Sequence, residues 1–248
     1  MRRAGAVVAE VLSELQRVAQ PGMTTAALDA MALRMTAAAG AAALFKGVRS
    51  PQARQPFPGA ICASLDDEVV HGIPSDQVVL REGSILSIDF GVRLNGYCGD
   101  AAVTVPIGTI SAEKQKLLRT TQEVLAIAID RVRPGLRWSE VADRMQRHAE
   151  SAGFAVVRDF VGHGIGTKMH EDPKVPNFVS DELLADDIVL AEGMVLAVEP
   201  MINAGGYGVR TLRNGWTVVT KDGRASAHFE HTIAVVKGGC EVLTRTES

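Results

Sequence analysis

Two aspartates form the first group of residues that could carry out chemistry. Asp89 and Asp100 are eleven positions apart, one on each side of Asn95-Gly96. Asn-Gly favours a type I′ hairpin turn, since both of its central residues need a positive φ. A two-residue loop places Asp100 opposite Gly91, and Asp89 diagonal to Asp100 on the same face, about 7–8 Å away at the backbone. Two carboxylates at that separation can bind one cation.

The neighbours of these aspartates favour a metal site over a solvated surface. In the alternative interpretation, both carboxylates face water on the outside of a sheet. Apolar residues occupy both faces of the two segments, which indicates central strands: Ile85, Leu86, Ile88, Phe90 and Val103. Buried like charges are costly unless a cation neutralises them. We therefore expect a metal ion at this hairpin.

Further donors follow later in the chain. His163 lies in a Gly-His-Gly-Ile-Gly segment, and His170 comes seven positions after it. Glu199 and Glu230 each lie within a different apolar segment that reads as a strand. For a single histidine, the alternative is a glycine loop that contains it incidentally. For a single glutamate, the alternative is a charge on an edge strand or on the surface. The second histidine and the repeated glutamate pattern favour metal ligands.

Together these donors predict hydrolytic metal chemistry. Two Asp, two Glu and one His form an oxygen-rich ligand set that suits Mn, Fe, Co or Zn. Four carboxylates would balance two divalent ions, and ions about 3.5–4 Å apart can share bridging carboxylates and a bridging water. Such a water loses a proton near neutral pH and can attack a peptide carbonyl. The sequence contains neither a Gly-x-Ser-x-Gly nucleophile motif nor a Walker A loop.

The remaining histidines are less informative. His71 precedes a Gly-Ile-Pro turn and is unremarkable by itself, and His148 lies on a charged helix face. His231 should face away from Glu230, because strand residues alternate, so we interpret it as structural. His228 should share a face with Glu230 and could lie behind the ligands.

Composition and pattern define what must position these residues. The chain has 248 residues, 46% of them apolar, and a formal net charge of -3, so no basic field indicates a nucleic-acid or membrane partner. Three scattered cysteines are too few for a disulfide framework and indicate reduced thiols in a cytosol. We find no signal peptide and no apolar run of about 18 residues.

The predicted elements repeat in order. Apolar periodicity and turn residues predict helices at 4–18, 26–39, 113–132 and 139–152, and strands at 84–92, 97–105, about 154–160, 194–199, 209–219 and 227–236. Residues 41–60 read as a loop. Each half therefore contains two helices followed by strands, which predicts one α+β unit over residues 1–248 with two similar halves.

Taken together, the sequence resembles type I methionine aminopeptidases along nearly its whole length. The resemblance is densest at Glu-Val-Val-His-Gly-Ile-Pro, Ile-Asp-Phe-Gly-Val, Gly-His-Gly-Ile-Gly, Val-Glu-Pro and Phe-Glu-His-Thr, which occur here in that order. It implies the pita-bread (creatinase/aminopeptidase) fold, in which two pseudo-twofold-related halves form an antiparallel sheet covered by helices and meet at the metal centre.

The resemblance also implies residue roles. The five proposed metal ligands are Asp89, Asp100, His163, Glu199 and Glu230. Asp100 and Glu230 would bridge two divalent ions, and Glu199 would accept a proton from the attacking water. His170 would bind the scissile carbonyl and the developing oxyanion, and His71 would contact the scissile amide nitrogen or the intermediate. The residues expected to line the methionine pocket, besides these two histidines, are Phe57, Cys62, Met169 and Trp216.

Some positions depart from the family pattern without touching a proposed ligand. Arg54 stands where an aromatic residue is usual, Phe57 replaces a tyrosine, and Met169 replaces a phenylalanine. Arg54 could narrow the pocket or attract an acidic second residue of the substrate, or it could be a solvated loop charge.

The implied function is metal-dependent removal of the N-terminal methionine from nascent proteins when the second residue is small. We expect a cytoplasmic monomer that contacts the ribosome transiently and binds neither specific nucleic acid nor membrane. Two alternatives remain: a proline-specific aminopeptidase P or prolidase, and a binding module of the same fold without activity. The first normally carries a large N-terminal domain, and the second loses metal ligands.

Overall fold

Five helices cover the sheets of the protein. The computed structural model describes residues 1–245, and its helices are α1 (Arg2–Val18), α2 (Thr25–Ala38), α3 (Ala112–Arg131), α4 (Trp138–Ser151) and α5 (Asp181–Ala185). Thr24 and Ser111 cap α2 and α3, because each side-chain oxygen accepts a hydrogen bond from a backbone N–H of the first turn. None of the helices within this range is both long and apolar enough to cross a membrane.

Short strands make up most of the remainder. They are β1 (Ala42–Ala43), β2 (Ile61–Leu65), β3 (Glu68–Val70), β4 (Ile85–Leu94), β5 (Tyr97–Pro106), β6 (Ala155–Val156), β7 (Gly162–Gly164), β8 (Glu171–Val175), β9 (Val195–Val198), β10 (Met201–Asn203), β11 (Val209–Thr211), β12 (Val218–Thr220), β13 (Ser226–His228), β14 (Glu230–Val236) and β15 (Gly239–Val242).

The largest sheet joins the two halves of the chain. Its strand order is β1-β4-β5-β14-β9-β7-β8, with β2 beside β4 and β15 beside β14. All its pairings are antiparallel, and β5 of the first half pairs directly with β14 of the second. The expectation of a pita-bread fold, with helices covering an antiparallel sheet, is confirmed.

Each pair of long helices buries one apolar core against the sheet. Beneath α1 and α2, Leu15 and Leu28 pack with Phe90 of β4, and all three side chains are fully buried. Beneath α3 and α4, Trp138 and Met145 belong to a second, larger core that includes strand residues of β9 and β14. Phe90 of the first core and Leu196 and Ile233 of the second lie on the same face of the central sheet, so the helices pack against the face opposite the acidic side chains.

Several predicted strands are shorter or divided. The 209–219 prediction was wrong as a single strand, because a tight turn at Gly215, which has a φ of 77°, separates β11 from β12. The 227–236 segment is interrupted at Phe229, where the chain leaves the β13–β10 pairing and joins the central sheet as β14. Of residues 154–160 only β6 is a strand. These changes of partner leave no trace in local alternation.

Candidate metal centre and substrate cavity

Three carboxylates converge across adjacent strands of the central sheet. Gly91 lies opposite Asp100, as the Asn-Gly turn predicts, and Ala102 lies opposite Asp89. On its other side, Ala102 is paired with Glu230 of β14. Because residues two apart on a strand share a face, these pairings place all three acidic side chains on one side of the sheet.

The next two strands supply the other donors. Glu199 directly follows β9, which pairs with β14, and His163 of β7 lies opposite Ala197. The ligand atoms of Asp100, His163 and Glu230 all lie within 4.8 Å of one another. Asp89 and Glu199 line the same cavity as these three residues. The five predicted ligands therefore surround one space, although their coordinating roles stay a prediction.

The carboxylates are buried without enough partners. One oxygen each of Asp89, Asp100 and Glu230 is inaccessible to solvent and makes no hydrogen bond within the described residues. Burial raises the pKa of Asp89 to about 7. Burial, followed by repulsion from neighbouring carboxylates, raises the pKa of Asp100, Glu199 and Glu230 well above the usual range. Neutral acids or a bound cation relieve this cost, and unsatisfied oxygen donors are the ligands that hard divalent cations take.

His163 is prepared to act as a neutral ligand. Its Nδ1 lies 2.9 Å from the carbonyl oxygen of Gly164, a contact that requires the proton on Nδ1. The lone pair is then on Nε2, which lies 3.5 Å from Oε1 of Glu199. Burial lowers the pKa of His163 to about 4, so the imidazole is neutral at pH 7. A backbone carbonyl that fixes the tautomer is a common feature of metal-binding histidines.

One side of the cavity is apolar. Its volume is about 200 Å³, and the residues that line it beside the acidic group include Phe45, Phe57, Cys62, Met169 and Trp216. The ring centroids of Phe57 and Trp216 are 5.3 Å apart in an edge-to-face arrangement. The indole N–H of Trp216 donates to the carbonyl of Gln55 at 2.9 Å, which holds the ring in place. This wall suits an apolar side chain.

Two further histidines line the same cavity as the acidic group. The His170 ring is 4.4 Å from that of His163, and His71 packs edge-on against Trp216 and Phe160. Burial lowers the pKa of His71 to about 4 and also lowers that of His170. Both rings are therefore neutral at pH 7 and able to donate one N–H each. A neighbouring cavity of about 600 Å³ also touches His71, His170 and Glu199 and leaves room for the rest of a peptide.

The structure brings every sequence-predicted site residue to one cavity. Phe45 and Val48 also line it and were missed, because residues 41–60 were read as a featureless loop. The paired apolar residues Leu44 and Phe45 within that loop were the available signal. Thr232 was missed as well: its hydroxyl accepts from the backbone N–H of Asp100 and donates to its carbonyl, at 3.0 and 2.7 Å.

The other histidines lie mostly as expected. His231 faces away from the acidic group, with Nδ1 2.9 Å from the Thr244 hydroxyl, and His148 contacts Glu123 on the surface. His228 belongs to a different strand from Glu230, but its Nε2 still lies 3.8 Å from Oε2 of Glu199.

Comparisons with known proteins show which proteins the chain is similar to. The model of metallopeptidase family M24 matches residues 1–237. Over 247 residues the chain is 46% identical to a methionine aminopeptidase of Clostridium acetobutylicum, covering 100% of this chain and 95% of that protein. It is 45% identical to methionine aminopeptidase 1 of Bacillus subtilis, covering 99% and 95%. The crystal structure of a Thermotoga maritima methionine aminopeptidase superposes with a TM-score of 0.92 at 40% identity, covering 99% and 95%.

Proposed function

The chain belongs to metallopeptidase family M24, and on this premise we propose that the cavity described above is its active site, with the residue roles that follow. Its activity is metal-dependent removal of an N-terminal methionine, as the methionine aminopeptidases similar to it over their full length indicate. The further proposal is that the substrates are nascent proteins and peptides whose second residue is small.

One observation carries the assignment of the site. Five donors from four strands and one strand end surround a space in which buried carboxylate oxygens have no hydrogen-bond partner among residues 1–245, and an apolar wall adjoins it. Such a wall would accept the side chain of methionine and place the first peptide bond beside the donors. Asp89, Asp100, His163, Glu199 and Glu230 would hold two divalent ions, of which Co, Mn, Fe and Zn all suit the ligand set.

The chain's own groups would then divide the reaction among them. Divalent ions, when bound, supply a Lewis acid and lower the pKa of water. Glu199 would accept the proton that the attacking water gives up. His170, neutral and beside His163, would donate its N–H to the scissile carbonyl oxygen, where negative charge develops. His71 would contact the scissile amide nitrogen and, with Trp216, limit the space available beyond it.

A proline-specific peptidase is the second candidate. The prolidase of Pyrococcus horikoshii superposes with a TM-score of 0.77, but at 20% identity, and this chain covers 61% of it, so the likeness extends to the fold alone. The apolar wall around Trp216 favours a methionine side chain. We also propose a cytoplasmic, monomeric enzyme that contacts ribosomes transiently, because its substrates would be newly made chains.

A metal titration tests the proposal. Purified protein is stripped of metal, and release of methionine from Met-Ala-Ser is followed as Mn or Co is added, beside an Xaa-Pro peptide and the Asp100→Ala variant. We expect activity to rise with metal on Met-Ala-Ser, to stay low on the Xaa-Pro peptide, and to be abolished in the variant. An active variant would contradict the proposed role of Asp100 as a metal ligand, and preference for the Xaa-Pro peptide would favour the second candidate.

A further inference from the structure

His228 is a buried imidazole for which the proposed reaction has no role. It ends β13, its side chain is only 2% exposed, and its Nε2 makes no hydrogen bond within the described residues. A buried polar atom without a partner requires an explanation, because most such atoms in folded proteins are paired. The atom that Nε2 faces is Oε2 of Glu199, at 3.8 Å.

The position of His228 is fixed by the opposite half of the molecule. The Thr104 hydroxyl donates to the carbonyl oxygen of His228 and accepts from its backbone N–H, each at 2.8 Å. A hydroxyl has one hydrogen, so the 2.8 Å contact between Ser87 and Thr104 must be donated by Ser87. The β4–β5 hairpin, which carries Asp89 and Asp100, therefore also fixes the backbone of His228.

Glu199 lies between two imidazoles. Its Oε1 faces Nε2 of His163 at 3.5 Å, and its Oε2 faces Nε2 of His228. Asn177 donates to the backbone carbonyl of Glu199 at 3.1 Å, which holds the main chain in place. Because the His163 lone pair points to the proposed cation, Oε1 is the oxygen on the cation side. Oε2 is the oxygen on the His228 side.

We propose that His228 is a positioning residue for Glu199: it carries its proton on Nε2 and donates it to Oε2 once the carboxylate closes the present 3.8 Å separation to hydrogen-bond distance. The inference rests on the proposed function in one respect, namely that Glu199 is a ligand and the proton acceptor. When Glu199 is ionised, as a metal ligand must be, the opposite tautomer would direct two lone pairs at each other, which is unfavourable in a buried site. With the donor in place, the carboxylate cannot rotate freely, and Oε1 stays directed at the metal centre.

The expected effect is that of a partner hydrogen-bonded to a metal ligand. Loss of such partners typically reduces metal affinity or activity about 10–100-fold. The affected quantities should be kcat and metal affinity, since Glu199 acts on the water and the cation. KM for the peptide should change less, because His228 does not line the cavity in which the methionine side chain would lie.

Two variants of equal length separate the donor from the bulk of the side chain. H228Q keeps an N–H near the position of Nε2, whereas H228M has a similar length and shape but no donor. We expect H228Q to remain close to the wild type. We expect H228M to lose about 10–100-fold in Mn affinity, measured by calorimetry, and in kcat on Met-Ala-Ser. Thermal unfolding of the metal-free proteins establishes that each variant is folded.

The outcomes that overturn the inference are distinct. It is wrong if H228M keeps wild-type affinity and kcat, or if both variants lose equally, since the ring volume rather than the donor would then matter. Nitrogen-15 NMR of the wild type loaded with diamagnetic Zn, in which Glu199 is ionised, provides a test that needs no variant: a proton on Nδ1 instead of Nε2 overturns the contact. Calorimetry and NMR do not depend on turnover. An inactive wild type would therefore contradict the proposed function, while the role of His228 would still be decided by Mn affinity and by the position of its proton.

Discussion

Adding a single methyl group at Gly91 tests whether the position of the Asp100 carboxylate governs activity. A Cβ on residue 91 would lie 2.9 Å from Oδ1 of Asp100 and 3.2 Å from the ring of Phe45. Non-bonded heavy atoms attract at about 3.5–4.0 Å, so the carboxylate in Gly91→Ala must move by about half an ångström or more. The strand cannot move with it easily, because the Thr232 hydroxyl bonds both backbone groups of Asp100.

The size of the effect follows from this displacement. A misplacement of about 1 Å at a reacting centre costs about 100-fold in rate. We expect kcat/KM on Met-Ala-Ser to fall about 10–100-fold, which corresponds to about 1.4–2.7 kcal/mol of transition-state stabilisation. Crowding should reduce the free energy of unfolding of the metal-free protein by about 1–3 kcal/mol, partly offset because alanine loses less backbone entropy than glycine.

The assay combines peptide hydrolysis at saturating Mn, calorimetry of Mn binding, and thermal unfolding without metal. Gly239→Ala is the matched control: Gly239 also lies in a strand of the central sheet, and a Cβ there would meet nothing within 4 Å. The control should leave Mn affinity and kcat/KM unchanged. If Gly91→Ala behaves like the control in both measurements, the carboxylate position is not what limits activity and the reasoning fails.

Three further predictions concern charge, protons and the apolar wall. Asp100→Asn should raise the unfolding temperature of the metal-free protein at pH 8, because it removes a buried carboxyl whose pKa is raised well above the usual range. Mn should not raise the unfolding temperature of this variant any further. A variant that Mn still stabilises would refute the ligand role of Asp100. Mn binding at pH 7 should release protons, because Asp89 has a pKa of about 7 and must ionise to bind, and Mn affinity should therefore rise as pH increases through 7. Calorimetry in buffers of different ionisation enthalpy measures the number of protons released. Identical heats of binding in those buffers would contradict the prediction. Trp216→Ala should lower kcat/KM for Met-Ala-Ser by about tenfold or more, because apolar contact with the methionine side chain is lost, and Mn affinity should not change. A loss of Mn affinity would instead show that Trp216 has a structural role.

Much of the site could be predicted from sequence because its first part is local. The turn residues Asn95-Gly96 fix the hairpin register, and that register decides that Asp89 and Asp100 share a face. The flanking apolar residues indicate that the strands are buried, which makes a pair of carboxylates informative. The long helices were also predicted to within one or two residues, since their apolar periodicity and capping residues lie within a few turns of one another.

Other features depend on strand pairings between distant parts of the chain. The contact between Thr232 and Asp100 spans 132 positions, and the β5–β14 pairing that brings Glu230 beside Ala102 has no local signal. Only the resemblance to a known family indicated that His71 lies near this group. The contribution of Phe45 to the apolar wall was not foreseen, and His228 was expected behind the ligands without Glu199 being identified as the residue it faces. The sequence by itself determined the long helices, the β4–β5 hairpin and the buried character of its two strands, because turn chemistry and periodicity act over short distances. The tertiary structure decided which of those faces meet, because that depends on packing two separate cores against one continuous sheet.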